Sequence, residues 1–230
     1  MTLARRAEPP SWAVNGTYRA VRPPLEWLFR KVFDLEISGR DRLPERSGYI
    51  LAPNHLSFLD PVLTSIVARR NVRYMAIGFL FNRSALFDKI ILFYGAIPTT
   101  RDAVPIGAIR TALKHLESGG VIGIYPEGRR VSRWQEEAPN RGAAWMSMAT
   151  GAPVFPLAMQ GTADTLSIEQ TSLRRAALRA WVEEPLDPLS YTDSVDPTAA
   201  MMRDWQTAVT GRLGPWWEGR AGVSERGEAS

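Results

Sequence analysis

His55 and Asp60 are the residues whose types and spacing suggest chemistry most directly. The segment around them starts as an apolar strand, Gly48–Ala52, and leads into a helix near Asp60. Five residues along a continuous helix turn two side chains apart by about 500°, but an intervening turn can bring them together. An imidazole held by a carboxylate has a fixed tautomer, and its other ring nitrogen is free to accept a proton. The pair is therefore a candidate general base. The alternative is that His55 fills space at a strand end and Asp60 caps a helix.

A nucleophilic serine is a competing interpretation of the same segment. Ser57 lies two residues after His55, but no G-x-S-x-G elbow surrounds it. The chain has no cysteine, which excludes a cysteine nucleophile and thiolate metal sites. Its only histidines are His55 and His115, so a histidine-rich metal centre is also excluded. We expect Ser57 to hydrogen-bond within the turn, and we expect no metal and no cofactor.

Two further segments place polar residues just after predicted strands. In α/β sheets, ligands bind beyond the carboxyl ends of the strands. Guanidinium forks match phosphate oxygens, and a carboxylate can orient an arginine or accept a hydrogen bond from a substrate hydroxyl. Solvated loops are the alternative for each segment taken singly. The candidate binding residues in these segments are Gly95, Arg101, Glu127, Gly128, Arg129 and Arg130.

Short apolar runs alternate with amphipathic windows, which predicts an α/β domain. The predicted strands are Asp34–Ile37, Gly48–Ala52, Arg73–Ile77, Ala96–Thr99, Val121–Tyr125, Val154–Met159 and Ala177–Val182. The predicted helices are Pro61–Arg69, Pro105–Glu117 and Thr198–Leu213. The chain has 230 residues, of which 45% are hydrophobic and 23% charged, so it suits one domain with a sizeable core.

The N-terminal segment has the character of an amphipathic helix. Apolar residues follow the Pro23-Pro24 pair at helical spacing, and aromatic and basic residues surround them. Such a segment suits a membrane surface, and packing on the protein's own core is the alternative. We assign 1–33 to a leader and this amphipathic segment, 34–215 to the main domain, and 216–230 to a disordered tail. The predicted apolar stripe consists of Leu25, Leu28, Phe29, Val32 and Phe33.

The net charge of the chain and the length of its apolar runs indicate where the protein is located and which partners it binds. The longest apolar runs, Tyr74–Phe81 and Ile90–Ile97, fall short of the roughly 20 residues that a membrane span needs. The N-terminus lacks the apolar run of a signal peptide, so we expect a cytoplasmic protein. The net charge is +4, without zinc spacing, an aromatic nucleic-acid signature or a GxxxxGK[ST] loop. We therefore expect no nucleic-acid partner.

The order of these segments resembles the four sequence blocks of the glycerolipid acyltransferase family, most closely its lysophosphatidic acid acyltransferase branch. The blocks are Asn54-His55 with Asp60, Gly95 to Arg101, Pro126 to Arg130, and Ala152 to Pro156. The resemblance covers roughly residues 35–185. It implies a mixed, mostly parallel sheet flanked by helices and a catalytic dyad of His55 and Asp60.

The resemblance also implies substrates and binding roles. A fatty acyl group would pass from acyl-CoA or acyl carrier protein to a hydroxyl of a lysophospholipid. The most similar branch uses 1-acylglycerol-3-phosphate and forms phosphatidic acid, and several of its bacterial members lie on the membrane through N-terminal helices. The resemblance therefore implies a cytoplasmic protein that is peripheral on the inner face of the cell membrane. Pro156 would belong to a block linked to catalysis and the acyl donor. The residues implied in binding the acceptor are Asn54, Gly95, Arg101, Glu127, Gly128, Arg129 and Arg130.

The chain departs from the family pattern in its third block. The family usually has threonine where this chain has Arg129, and serine where it has Val131. These changes could retune the accepted head group, so acylation of another lipid or glycolipid hydroxyl stays open. A catalytically silent lipid-binding module is a further alternative, against which the intact His55 and Asp60 argue. The sequence leaves acyl chain length, donor type and oligomeric state open.

Overall fold

One mixed sheet of seven strands forms the centre of the molecule. The computed structural model describes residues 11–77, 97–99, 106–167 and 172–227. The strands are β1 Glu36–Ser38, β2 Tyr49–Pro53, β3 Val72–Ile77, β4 Ile97–Thr99, β5 Val121–Gly123, β6 Val154–Gln160 and β7 Arg179–Val182. Their order is β1-β7-β6-β2-β5-β3-β4, and every neighbouring pair is parallel except β6 with β7. The predicted α/β class is confirmed, and each predicted strand is present.

Helices cover the sheet, and two of them were not predicted from the sequence. The described helices are α1 Ser11–Phe33, α2 Asp60–Ala68, α3 Ile106–Glu117, α4 Gly142–Thr150, α5 Thr162–Leu166 and α6 Pro197–Gly227. Helix α4 escaped prediction because most of its small residues are buried, which removes the alternation of polar and apolar faces. Helix α5 spans five residues, too few to show a helical period.

The sheet is buried on both faces, which explains the unbroken apolar sequence of its central strand. In β2, Tyr49 and Leu51 face one helix layer, Ile50 and Ala52 face the other, and all four are fully buried. Helices α1 and α2 form the first layer, and α3, α4 and α6 form the second. Parallel strands covered on both sides read as continuous hydrophobic runs.

Helix α1 begins at Ser11 and continues through the Pro23-Pro24 pair, whereas the sequence predicted a helix only after this pair. Packing holds the N-terminal half. Val14 and Tyr18 are buried, and the Tyr18 hydroxyl donates a hydrogen bond to the carbonyl oxygen of Ser65. These tertiary contacts outweigh the preference of proline against helix interiors. The predicted leader before Ser11 lies outside the described residues.

Helix α6 extends to Gly227, well past its predicted end. The sequence predicts a disordered tail over 216–230, whereas the structure describes this segment up to Gly227 as helix. Trp216 and Trp217 pack against a small apolar cluster that contains Leu56. The sequence does not indicate this contact, because the partners of the two rings are distant in the chain and are brought together only by the fold.

Candidate active site

His55 and Asp60 meet in the turn between β2 and α2. The Nδ1 atom of His55 lies 2.9 Å from Oδ2 of Asp60. The same carboxylate oxygen accepts hydrogen bonds from the backbone amides of Leu56 and Ser57, each at 2.7 Å. These amides fold the acid back over the turn, so the two side chains converge despite their separation. One interpretation of the sequence was that Asp60 caps α2. The structure instead places Leu59 at the N-cap position.

The contact with Asp60 determines which nitrogen of His55 is basic. A carboxylate only accepts hydrogen bonds, so Nδ1 carries the hydrogen and Nε2 has the free lone pair. Asp60 is fully buried, whereas the His55 side chain is 14% exposed. Among the described residues, Nε2 has no hydrogen-bond partner. The site thus combines a partly exposed imidazole with a fully shielded orienting acid, the arrangement of a general base.

Ser57 is engaged in stabilising the same turn. Its hydroxyl donates to the carbonyl oxygen of Leu166 at 2.6 Å and accepts from the amide of Leu59 at 3.1 Å. The His55 ring is held by Asp60 and makes no hydrogen bond to this hydroxyl. The geometry therefore favours the turn-stabilising role predicted for Ser57 over a nucleophilic one.

The loop after β5, Tyr125–Val131, holds His55 from the other side. The rings of Tyr125 and His55 stack, with centroids 3.9 Å apart and planes inclined by 20°. The His55 amide donates to Oε1 of Glu127 at 3.1 Å, and the Val131 amide donates to the His55 carbonyl oxygen at 2.9 Å. Strands β2 and β5 are neighbours in the sheet, so the segments that leave them meet.

Glu127 is a buried acid that holds its proton at neutral pH. Its residue is only 4% exposed, and burial raises its pKa to about 8. The hydrogen bond from the His55 amide opposes this rise in pKa, and the negative charge of Asp60 adds to it. The second oxygen, Oε2, is buried and has no hydrogen-bond partner. A neutral carboxyl group therefore lies next to the dyad.

Tyr125 is the site residue to which sequence reasoning gave no role. Its ring also lies parallel to that of Tyr74, with centroids 6.2 Å apart, so His55 is one end of a three-ring stack. The Tyr74 hydroxyl donates to the carbonyl oxygen of Pro61 at 2.9 Å, which anchors the stack to α2. The position of Tyr125 just after β5 could have indicated its role, because β5 is the neighbour of β2 in the sheet. The order of the strands in the sheet, however, cannot be derived from the sequence.

The two neighbouring arginines of the third block point in different directions. Arg129 is exposed, and its guanidinium pairs with Glu136 at 3.0 Å and Glu137 at 2.5 Å. It thus binds the segment that follows its loop, and the geometry does not bring it to the predicted acceptor site. Arg130 is half-buried, with Cζ 3.5 Å from the ring centroid of Phe58, a residue of the dyad turn, Asn54–Asp60, which joins β2 to α2. Gly128, between Glu127 and these arginines, has a φ of 72°, which glycine adopts readily.

Asn54 has a structural position. Its side-chain amide donates to the carbonyl oxygen of Met159 at 3.0 Å, and its Oδ1 accepts from the Met159 amide at 2.7 Å. The residue is fully buried, and both ends of its amide are occupied by β6. Asn54 thus extends the β2–β6 ladder by one side chain and fixes the start of the dyad turn, rather than facing the predicted acceptor.

Of the three remaining residues that were predicted to bind substrates, one lies in the sheet and two lie outside the described residues. Pro156 is buried in β6 opposite Ala52, and its carbonyl oxygen accepts from the amide of Glu183 at 2.9 Å. Proline has no amide hydrogen to return, so the β6–β7 ladder ends here. Gly95 and Arg101 lie outside the described residues. Within the described ranges, no three His, Asp or Glu side chains are grouped to hold a metal ion, and the lack of a cofactor stays a prediction.

Comparison with known proteins defines the class to which this fold and site belong. The family model described as Acyltransferase matches residues 34–160, which is more than half of the chain. The chain therefore belongs to the acyltransferase family, as its resemblance to glycerolipid acyltransferases predicted. The matched range contains the dyad turn and the loop that supports it.

Two curated relatives carry a more specific name. The chain is 26% identical over 159 residues to 1-acyl-sn-glycerol-3-phosphate acyltransferase of Bacillus subtilis, covering 68% of this chain and 76% of that protein. It is 24% identical over 128 residues to the protein of the same name in Borreliella burgdorferi, covering 55% of this chain and 51% of that one. These matches confirm the prediction that the protein is an acyltransferase.

A solved structure supports the fold. The crystal structure of the 1-acyl-sn-glycerophosphate (LPA) acyltransferase PlsC from Thermotoga maritima superposes with a TM-score of 0.68. The two chains are 19% identical, and the match covers 85% of this chain and 78% of the other. At this identity, the likeness establishes a shared architecture and leaves the substrates of this chain to be argued from its own residues.

Proposed function

We propose that this protein transfers a fatty acyl group from a thioester, acyl-CoA or acyl carrier protein, to a hydroxyl of 1-acylglycerol-3-phosphate, giving phosphatidic acid. The observation that carries the proposal is the partly exposed imidazole of His55 held at 2.9 Å by a fully buried acid. The names of the two curated relatives support the choice of acceptor.

The dyad supplies the proton transfer that such a reaction needs. Nε2 of His55 takes the proton of the acceptor hydroxyl while its oxygen attacks the thioester carbonyl carbon. Asp60 stabilises the imidazolium that forms. When the tetrahedral intermediate collapses, the carbon–sulfur bond breaks and the imidazolium returns the proton to the leaving thiolate. A base of this kind contributes roughly 10²–10⁴ in rate.

Transfer proceeds directly between the two substrates in this proposal. Ser57 commits its hydroxyl hydrogen to Leu166, and the chain has no cysteine. An acyl-enzyme intermediate has no suitable nucleophile next to His55 among the described residues. Purified protein incubated with acyl-CoA should show no mass increase in the peptide that contains Ser57, and an acyl adduct there would contradict this step.

Arg130 is the described arginine best placed to bind the acceptor phosphate. It belongs to the loop that holds His55 and lies over Phe58 of the dyad turn. A guanidinium presents forked donors that match phosphate oxygens, and stacking on an aromatic ring keeps this fork oriented. From the sequence, we propose Arg101 as its second partner.

One assay tests the proposed function. Thiol release from palmitoyl-CoA is measured with and without lysophosphatidic acid, and the lipid product is identified by mass spectrometry. Wild type should release thiol in proportion to phosphatidic acid formed, and His55→Ala should lose nearly all of this activity. His115→Ala changes the other histidine of the chain and serves as the matched control. A panel of lysolipid and glycolipid acceptors tests the head group, and preference for an acceptor without phosphate would contradict the proposal.

We also propose that α1 rests on an anionic membrane surface. No helix in the described ranges is long and apolar enough to span a bilayer. Val21, Leu28 and Val32 are exposed and share one stripe of α1, and Trp27, 62% exposed, projects from the same helix about 100° around its axis from Leu28. Exposed Lys31 adds positive charge, so the surface combines apolar insertion with attraction to anionic lipid.

Vesicle binding tests this surface. The wild type should co-sediment with vesicles that contain phosphatidylglycerol and bind less at high salt, because salt screens the attraction. Trp27→Ser should weaken binding several-fold. Trp145→Ser is the matched control, since Trp145 is also exposed but belongs to α4 in the opposite layer. Equal effects of the two substitutions would contradict a docking role for α1.

A further inference from the structure

Both the ring and the main chain of His55 are held by neighbouring groups, whereas its basic nitrogen Nε2 has no hydrogen-bond partner among the described residues. Asp60 holds Nδ1, and Tyr125 covers one face of the ring. The main chain is held just as firmly, because its amide donates to Glu127 and its carbonyl oxygen accepts from Val131. Two of these four contacts therefore act on the backbone of His55. Of these two, the contact with Glu127 is made by a side chain and the contact with Val131 by a backbone amide.

The carboxyl group of Glu127 has no oxygen available to a substrate. Oε1 accepts from the His55 amide at 3.1 Å, and Oε2 is buried. The residue as a whole is only 4% exposed. A substrate hydroxyl could reach this group only if the dyad turn and the loop moved apart, which would break the contact that holds His55.

We propose that Glu127 is a positioning residue that fixes the backbone of His55, and not a ligand of the acceptor. This inference rests on the proposed function for its kinetic consequence and reassigns a residue within that same site. The role requires an acceptor oxygen facing the His55 amide. Glutamine supplies the same carbonyl acceptor, whereas alanine leaves a buried amide hydrogen without a partner.

Kinetics separate the two roles of Glu127. A positioning residue affects kcat, because a displacement of about 1 Å in a catalytic group can cost about 10²-fold. We expect Glu127→Ala to lower kcat about 10²-fold with KM for lysophosphatidic acid unchanged, and Glu127→Gln to restore most of kcat. Glu137→Gln, just beyond the loop, is the matched control, since Glu137 is exposed and pairs with Arg129. Thermal unfolding of each variant shows whether it is folded.

A spectroscopic arm tests the position of His55 without reference to activity. The chain has two histidines, so a ¹⁵N-histidine spectrum contains two rings, and His55→Gln assigns the relevant one. The Nδ1 hydrogen bonded to Asp60 should give a strongly deshielded proton resonance in wild type and in Glu127→Gln. In Glu127→Ala this resonance should shift or broaden away.

The outcomes are separable. A Glu127→Gln variant with KM raised tenfold or more and an unchanged His55 resonance would make Glu127 an acceptor ligand and overturn the inference. A Glu127→Ala variant with unchanged kcat and an unchanged resonance would overturn it as well. If wild type transfers no acyl group to any acceptor, the proposed function fails, while the resonance of His55 still decides the positioning role.

Discussion

Two segments leave the same edge of the sheet and build the site in different ways. The dyad turn is closed by local contacts, since Asp60 binds the ring and two amides that precede it by five residues or fewer. The loop Tyr125–Val131 instead reaches across to His55, 72 residues away from Glu127 in the chain. The chemistry thus has a local origin, whereas its support is long-range and depends on β2 and β5 being neighbours.

This difference separates what substitutions in the two segments should do. A change in the dyad turn removes a group that takes part in proton transfer, so the rate should fall steeply. A change in the supporting loop leaves the chemical groups in place and alters how firmly they are held. A substitution in the supporting loop should therefore act mainly on the stability of the protein and on the position of His55.

Asp60→Asn should have the largest effect. The amide keeps the size of the side chain but removes the charge that stabilises the imidazolium and selects the tautomer of His55. We expect kcat to fall about 10³–10⁴-fold, measured as thiol release from palmitoyl-CoA. Asp193→Asn, at an exposed acid, is the control. A loss smaller than tenfold would show that Asp60 is structural and would remove the contrast between the two segments.

The next effect is on stability and comes from the supporting loop. The pKa of Glu127 is raised from 4.5 to about 8 in the folded state, so the fold holds a proton that the unfolded chain releases. Its contribution to stability therefore decreases as pH rises from about 4.5 to about 8, by up to roughly 1.4 kcal/mol per pH unit. Glu127→Gln has no such proton.

Urea unfolding of wild type and Glu127→Gln between pH 5 and pH 8 measures this difference. The free energy of unfolding of the glutamine variant should rise relative to wild type by a few kcal/mol across the window. Parallel curves for the two proteins would show that Glu127 is ionised in the folded state. The supporting loop would then carry a negative charge next to that of Asp60.

Tyr125→Ala should have a moderate effect. Removing the ring deletes the stack on His55, and such ring contacts contribute about 0.5–1.5 kcal/mol. We expect kcat to fall by up to about tenfold. Tyr125→Phe keeps the ring and removes only a buried hydroxyl, which among the described residues makes no hydrogen bond of good geometry and has the side chain of Thr64 as its polar neighbour, so its activity should match wild type. If the phenylalanine variant lost as much as the alanine variant, the hydroxyl and not the stack would be the functional part.

Arg129→Thr should have the smallest effect and tests the family departure directly. The guanidinium is exposed and paired with Glu136 and Glu137, and solvent screens such exposed ion pairs so that they contribute little to stability. The substitution should leave the ratio of kcat/KM between acceptors unchanged. A changed preference among head groups in the acceptor panel would place Arg129 in the binding site after all.

Several features could be predicted because their signals are local. The strands of the sheet are short apolar runs, and burial on both faces makes such runs readable without neighbours. The spacing of His55 and Asp60 suggested a dyad because a turn of that length can close on itself. Helix α4 and the tail of α6 lacked a local signal, since buried alanines show no period and Trp216 gains its partners only in the fold.

The sequence by itself determined the class of the fold and the candidate pair of acid and base, because both depend on residue type and short spacing. Only the tertiary structure decided which neighbours do what. It turned Arg129 outward to Glu136 and Glu137, joined Asn54 to β6, and brought Glu127 and Tyr125 to His55. The physical reason is that these contacts depend on strand order and on side-chain direction, which are set by burial across the whole sheet rather than by any segment alone.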